Sequence, residues 1–207
     1  MTHDVDTTSP FLRIPWTARL LSQPNILTAI PQSRTPKAST EDSLFAEILK
    51  TSRTLRSCIL FYRNSDHVGV EEVTALYFVG NGMNGHSGII HGGITATLID
   101  ESMGMLQTVN LEREREGGNF GEEEGGLGSF TAYLNVQYKR PVSTPGAIAV
   151  VVKRVRKEGR KEWLSAELKQ WSGSDRSRGD GDEEGELVVC ATGEALFVTP
   201  RAVGSKL

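Results

Sequence analysis

The chain has 207 residues, 38% of them hydrophobic, and a formal charge of −3 at pH 7. That size suits one domain with an extension, read here as an N-terminal extension over 1–40, a domain over 41–200 and a tail over 201–207. The mildly acidic balance excludes a nucleic-acid footprint, and no run approaches the roughly 20 apolar residues that a membrane-spanning helix needs.

Residues 7–40 hold no Asp or Glu but carry Arg13, Arg19, Arg34 and Lys37. This has the flavour of an organelle transit peptide. Asp4, Asp6 and five prolines in the same region argue against a long amphipathic helix. The expected compartment is the cytoplasm, with mitochondrial import as the alternative, and the segment otherwise reads as an extension draped on the surface.

From Glu41 to Thr54, the spacing of Leu44, Phe45, Ile48 and Leu49 predicts a short amphipathic helix that Ser39 or Thr40 could cap. Cys58–Tyr62 and Val73–Val79 read as short strands around a polar turn. A helix is predicted from about Gly92 to Val109. Four longer strands follow near 129–140, 146–157, 160–171 and 187–198. The third could pass for a helix on propensity, but the alternation of Leu164, Ala166 and Leu168 after a tight Lys157–Arg160 turn favours a hairpin strand. One long helix followed by hairpin-joined strands predicts an α+β fold, a curved antiparallel sheet wrapped around a central helix.

Two stretches, Glu112–Gly128 and Ser172–Glu186, hold six acids each, which is twelve of the chain's 26. Such composition reads as solvated loops. By contrast, the stretch from Lys139 to Lys161 holds eight Lys and Arg against Glu158 alone. They read either as a charged outer sheet face or as receivers of phosphate groups, with Arg140, Lys153 and Arg154 as candidates.

The most informative stretch is His91-Gly92-Gly93-Ile94-Thr95-Ala96-Thr97-Leu98-Ile99-Asp100. A Gly pair lets backbone approach a ligand, and the helix that follows aims unpaired N–H groups and a positive dipole end at it. That is the hardware of an oxyanion hole. Asp100 sits among Ala96, Thr97, Met103 and Gly104 at helical spacing, a mostly apolar surround in which an acid is costly unless used or paired. Eight residues of helix put it roughly 12 Å from Gly92, too far for both to act on one carbonyl. Two copies with antiparallel helices would bring the Asp of one to the helix start of the other.

This HGGxxxxLxD element, with the Gly-rich 80–88 stretch before it and the strand Thr131-x-x-Leu134-Asn135-x-x-Tyr138-x-Arg140-Pro141 after it, resembles the phenylacetate-type (PaaI-like) hotdog acyl-CoA thioesterases, closest to their eukaryotic branch. The resemblance covers roughly residues 70–199. It implies a hotdog fold and hydrolysis of an acyl thioester of coenzyme A or acyl carrier protein by a homodimer or dimer of dimers, with no cofactor or metal. It also implies that Gly92 polarises the carbonyl, that Asp100 is nucleophile or general base, and that Thr131 positions water. Asn84, His86, His91 and Gly93 are expected to line the substrate. Relatives carry a polar side chain just before the helix, and Asn84 and His86 both sit near that place. A hotdog hydratase or dehydratase, a non-catalytic thioester-binding module and a partner-binding protein acting through its acidic loops are the alternatives.

Other motifs fall away. Gly80–Gly85 matches GxGxxG, but no helix opens inside it and the later strands read as hairpins. Gly85–Ile89 approaches a nucleophile elbow, yet Ile89 stands where the last Gly belongs and His91 is the only later His. The four His have no HxxxH or HExxH spacing, so no metal is expected. Cys58 and Cys190 are in neither metal nor redox spacing and read as reduced, buried thiols of an intracellular protein. His91 reads as an acid or base or, more simply, as a residue fixing the helix start by hydrogen bonding.

Overall fold

The structure is a computed structural model and describes residues 8–64, 69–116, 128–173 and 185–201. Apolar residues at helical spacing build its centre. Along α3 (Gly92–Glu116), Leu98, Ile99, Met103, Leu106 and Val109 form one buried stripe. That stripe lies across strands β3 (Glu72–Val79), β7 (Gly146–Glu158), β8 (Lys161–Trp171), β9 (Leu187–Val198) and β6 (Phe130–Tyr138). Each strand turns alternate residues to the helix, as Val150, Val152, Leu164, Ala166 and Leu168 do. At Gly193 the helix comes so close that an added Cβ would lie 2.5 Å from Ile99 Cγ2.

All pairings in the main sheet are antiparallel, in the order β1-β2-β3-β7-β8-β9-β6. A long helix cradled by such a sheet is the hotdog fold, and the strands expected near 129–140, 146–157, 160–171 and 187–198 stand within two residues of their observed ends. The β7–β8 hairpin turns at Gly159, whose φ of +55° suits glycine. The helix is longer than expected, because 110–116 continue it into the first acidic stretch. The rest of that stretch to residue 127, and 174–184 of the second, lie outside the described residues.

The segment before residue 41 is packed rather than draped. Helices α1 (Ser9–Leu12) and α2 (Pro15–Leu21) bury Phe11, Ile14 and Trp16 on the outer sheet face, against Ile59, Phe61, Leu76, Ala147 and Ala149. Next, β1 (Ile26–Ala29) pairs with β2 (Leu55–Arg63) and extends the sheet. The chain then rounds the sheet edge to the helix, where Ser33 donates to Glu101 and Gln32 to Glu112. Arg34, fully buried, donates to the carbonyls of Phe45 at 2.8 Å and Leu55 at 2.9 Å.

The amphipathic helix expected over 41–54 is replaced by a single π-helical turn, Leu44–Ile48. It buries Phe45 and Ala46 and leaves Leu44 and Ile48 in solvent. The i→i+5 bond from the Leu49 N–H to the Leu44 carbonyl, 2.8 Å, rotates the face away from the one that 3.6-residue spacing predicts. No side chain caps this turn. Cys58 and Cys190 are both free and buried.

Candidate active site

Four elements converge on the start of α3. The short hairpin β4 (Asn84–His86) and β5 (Ile89–Ile90) runs into the helix. It is tied to the 142–144 segment through the Ile90 N–H on the Val142 carbonyl, 3.0 Å, and the Thr144 N–H on the Gly88 carbonyl, 2.9 Å. The Thr144 hydroxyl donates to the Asn84 side-chain oxygen. His86 lies exposed on the same hairpin. Of the two residues expected near the helix start, Asn84 is therefore held by the scaffold while His86 faces solvent.

His91 occupies the helix cap. Its carbonyl accepts from the Ile94 and Thr95 N–H groups at 2.9 and 3.1 Å, and its Nδ1 accepts the Gly93 N–H at 3.0 Å. Accepting at Nδ1 places the proton of the neutral ring on Nε2. Gly93 thus spends its donor inside the chain. The Gly92 N–H, first in the helix and exposed, has no acceptor among the described residues. Tyr138, the last residue of β6, belongs to the strand motif, and its spacing alone does not place it at the helix start. Its hydroxyl donates to the Gly92 carbonyl at 2.9 Å.

Asp100 lies two turns along the helix, partly buried, and Thr131 Oγ1 donates to its Oδ1 at 2.9 Å. The strand β6 that supplies Thr131 is an edge: it pairs with β9 alone among the described strands and leaves Phe130, Tyr133 and Tyr138 exposed. Beside Asp100 in sequence, on another face of the helix, Glu101 is pushed up to about 6 by burial. The hydrogen bond from Ser33 opposes that push, the nearby Asp42 and Asp100 charges add to it, and Arg34 opposes it.

The cations divide. Arg140 is exposed just beyond Tyr138, on a stretch whose Lys139 and Arg140 N–H groups both bond the Cys190 carbonyl, at 2.8 and 3.0 Å. Lys153 lies at the surface in an ion pair with Glu72 at 2.9 Å. Arg154 is largely buried between Glu162 and Glu71, the latter at 2.9 Å, so the expectation that it receives phosphate does not hold: its guanidinium is already neutralised. Both residues lie on the β7–β8 side of the sheet rather than at the helix start. A cleft of about 590 Å³ follows the second half of α3, lined by Ile30, Glu101, Met105, Thr108 and Glu162 among others, and does not reach Gly92.

The GxGxxG stretch forms a turn of 3₁₀ helix at Asn81–Met83 packed on Arg53, with no long helix opening from it. Among the described residues no group of His, Cys, Asp and Glu could hold a metal, and no helix is long and apolar enough to cross a membrane.

In fold the chain is a hotdog protein. No family model matches it. Verlamelin biosynthesis protein B of Lecanicillium sp is 27% identical over 128 residues, 52% of this chain and 55% of that one. The uncharacterized protein C26H8.11c of Schizosaccharomyces pombe is 28% identical over 116 residues, 56% of this chain and 53% of that one. The chain thus spans about half the length of the curated relatives it matches. Among solved structures, a thioesterase superfamily protein from Shewanella loihica is 20% identical with a TM-score of 0.44, the match covering 68% of this chain and 89% of that one.

Proposed function

We propose that the protein hydrolyses acyl thioesters, of coenzyme A or of an acyl carrier protein, as a PaaI-like hotdog homodimer or a dimer of such dimers. The observation that carries this reading is the pairing of a helix start whose Gly92 N–H is free with a partly buried Asp100 already oriented by Thr131. One chain alone leaves both facing outward, beside the exposed aromatic edge strand β6. A second copy with its helix antiparallel would bring its Asp100 to the first chain's Gly92, giving two equivalent sites.

In such a site the thioester oxygen sits on the Gly92 N–H, where the helix dipole favours the negative charge that develops. Asp100 either takes a proton from water, whose oxygen then bonds to the carbonyl carbon, or attacks that carbon itself to give an anhydride that water opens. In both routes the carbon–sulfur bond breaks, the thiolate takes up a proton and the acid is released. Thr131 donates to one carboxylate oxygen and leaves the other for water or for attack. His86 on β4 and Arg140 just beyond β6 are both exposed, and an exposed cation such as Arg140 would favour an anionic carrier by charge.

Release of free thiol, followed over acyl-CoA substrates from acetyl to palmitoyl with aryl-acetyl thioesters included, tests the reading. Turnover of at least one of them is expected. Tight binding of all without thiol release would replace the enzyme with a binding module, and hydration of enoyl thioesters without thiol release would replace it with a hydratase.

A further inference from the structure

We infer that Tyr138 is a positioning residue for the oxyanion donor, acting through the Gly92–Gly93 peptide; this rests on the thioester reading above. Two successive glycines at a helix start are soft backbone, with wide freedom about both their dihedrals. A donor on such backbone is preorganised only if something else holds it. Here both peptide units flanking the Gly92 Cα are held.

The unit that carries the Gly92 N–H has its carbonyl, that of His91, fixed by the Ile94 and Thr95 N–H groups at 2.9 and 3.1 Å. The next unit is gripped at opposite ends. Its carbonyl, that of Gly92, accepts the Tyr138 hydroxyl at 2.9 Å, and its N–H, that of Gly93, donates to His91 Nδ1 at 3.0 Å. Because a peptide unit is planar and rigid, it cannot swing without stretching one of these two bonds. The same grip removes Gly93 as a competing donor and leaves the Gly92 N–H to face a ligand. The Tyr138 ring packs on this glycine, since a Cβ built there would lie 3.5 Å from Cε1.

Folding has little use for this bond. Tyr138 is 57% exposed and the Gly92 carbonyl, at the first residue of α3, already accepts the i+4 N–H of the helix, so the hydroxyl could bond water instead at little cost to folding. The strand places the phenol deliberately all the same. Register pairs Tyr138 with Ala191, and the chain is pinned one residue later on the Cys190 carbonyl.

Tyr138→Phe removes one oxygen and keeps the ring. With any acyl-CoA that the wild type hydrolyses, kcat is expected to fall about tenfold with KM within about twofold, as for an interaction expressed in the transition state. The melting temperature should be unchanged, and exchange of the Gly93 amide with solvent should quicken. His91→Ala opens the other end of the same grip, so the double variant should fall little below the worse single variant, where independent roles would multiply. Wild-type kcat in Tyr138→Phe overturns the inference. So does a raised KM at unchanged kcat, which would mean contact with substrate, or a large drop in melting temperature, which would mean a structural role. If the wild type releases thiol from no substrate, the thioester reading fails by itself. The grip is then judged by amide exchange, where an unchanged Gly93 rate in Tyr138→Phe overturns it.

Discussion

The Thr131 hydroxyl and the Asp100 carboxylate, 31 positions apart in sequence, meet at 2.9 Å within one chain. The bond leaves Asp100 with one oxygen held and one free, and it ranks the two residues. Asp100→Asn keeps the shape and removes charge and basicity, so turnover should fall by at least about a hundredfold with near-normal folding. Thr131→Ala frees the carboxylate to rotate without removing it and should cost about tenfold. Steady-state thiol release with circular dichroism controls measures both. A Thr131→Ala enzyme worse than Asp100→Asn at equal stability would reverse the assigned roles.

The carboxylate's height above the sheet depends on Gly193. A Cβ there would lie 2.5 Å from Ile99 Cγ2, and Ile99 is fully buried next to Asp100. Gly193→Ala is therefore expected to destabilise by about 1–3 kcal/mol and to lower turnover by lifting the helix from Thr131. Ile99→Ala in the same chain should recover part of that stability, because the two changes share one contact. Urea unfolding of the two single variants and the double variant gives the coupling; strict additivity would show that the contact is not what limits the site.

Much of this was legible in the sequence because local pattern and global packing agree. The apolar stripe of α3 and the alternation of β7, β8 and β9 mark both their elements and the faces they bury. The misses have long-range causes. Phe11 and Trp16 sit in a Pro-rich segment without periodicity, and what buries them is the outer face of strands that begin more than thirty residues later. Counting charges could not show that Arg154 is consumed, since Glu71 lies 83 positions before it and reaches it only across the folded sheet. Tyr138 was hidden likewise: its partner is a backbone carbonyl 46 positions back, which leaves no mark in residue type. The glycine pair and Asp100 mark a candidate site in the sequence, whereas the Tyr138 and Thr131 hydrogen bonds that hold them show only in the structure.

Glu101 gives the fold a pH dependence of unusual sign. Burial raises this carboxyl from 4.5 to about 6, so the folded state binds the proton more tightly than the unfolded chain does. The stability that this group contributes is fully present below about pH 4.5 and is lost as pH rises through about 6. Glu101→Gln, which can still accept from Ser33, should therefore be more stable than the wild type at pH 8 by about 2 kcal/mol, the gap closing toward pH 4.5. Denaturant titrations at several pH values check this. An unchanged gap across the range would mean that the substitution acts through packing and not through charge.

The shared site can be tested by mixing two dead proteins. Asp100→Asn lacks the acid, and Gly92→Pro lacks the N–H that would hold the oxyanion. Each homodimer should be inactive, since every site misses one element. A hybrid pairs the intact Gly92 of the first chain with the intact Asp100 of the second and so restores one of its two sites. With random reassortment about a quarter of all sites in the mixture should work, as two-fold symmetry requires. Co-expression or co-refolding makes the hybrids, and thermal melts with sizing must first show that Gly92→Pro folds and dimerises. If it does not, Asp100→Asn mixed with Tyr138→Phe poses the question again: the hybrid site that combines wild-type Tyr138 with wild-type Asp100 should then run at full rate, above either parent. Folded hybrids no more active than their parents would show that the two groups do not meet across an interface. The roughly 12 Å of helix between Gly92 and Asp100 would then have to be bridged within one chain, and the antiparallel dimer mechanism would fall.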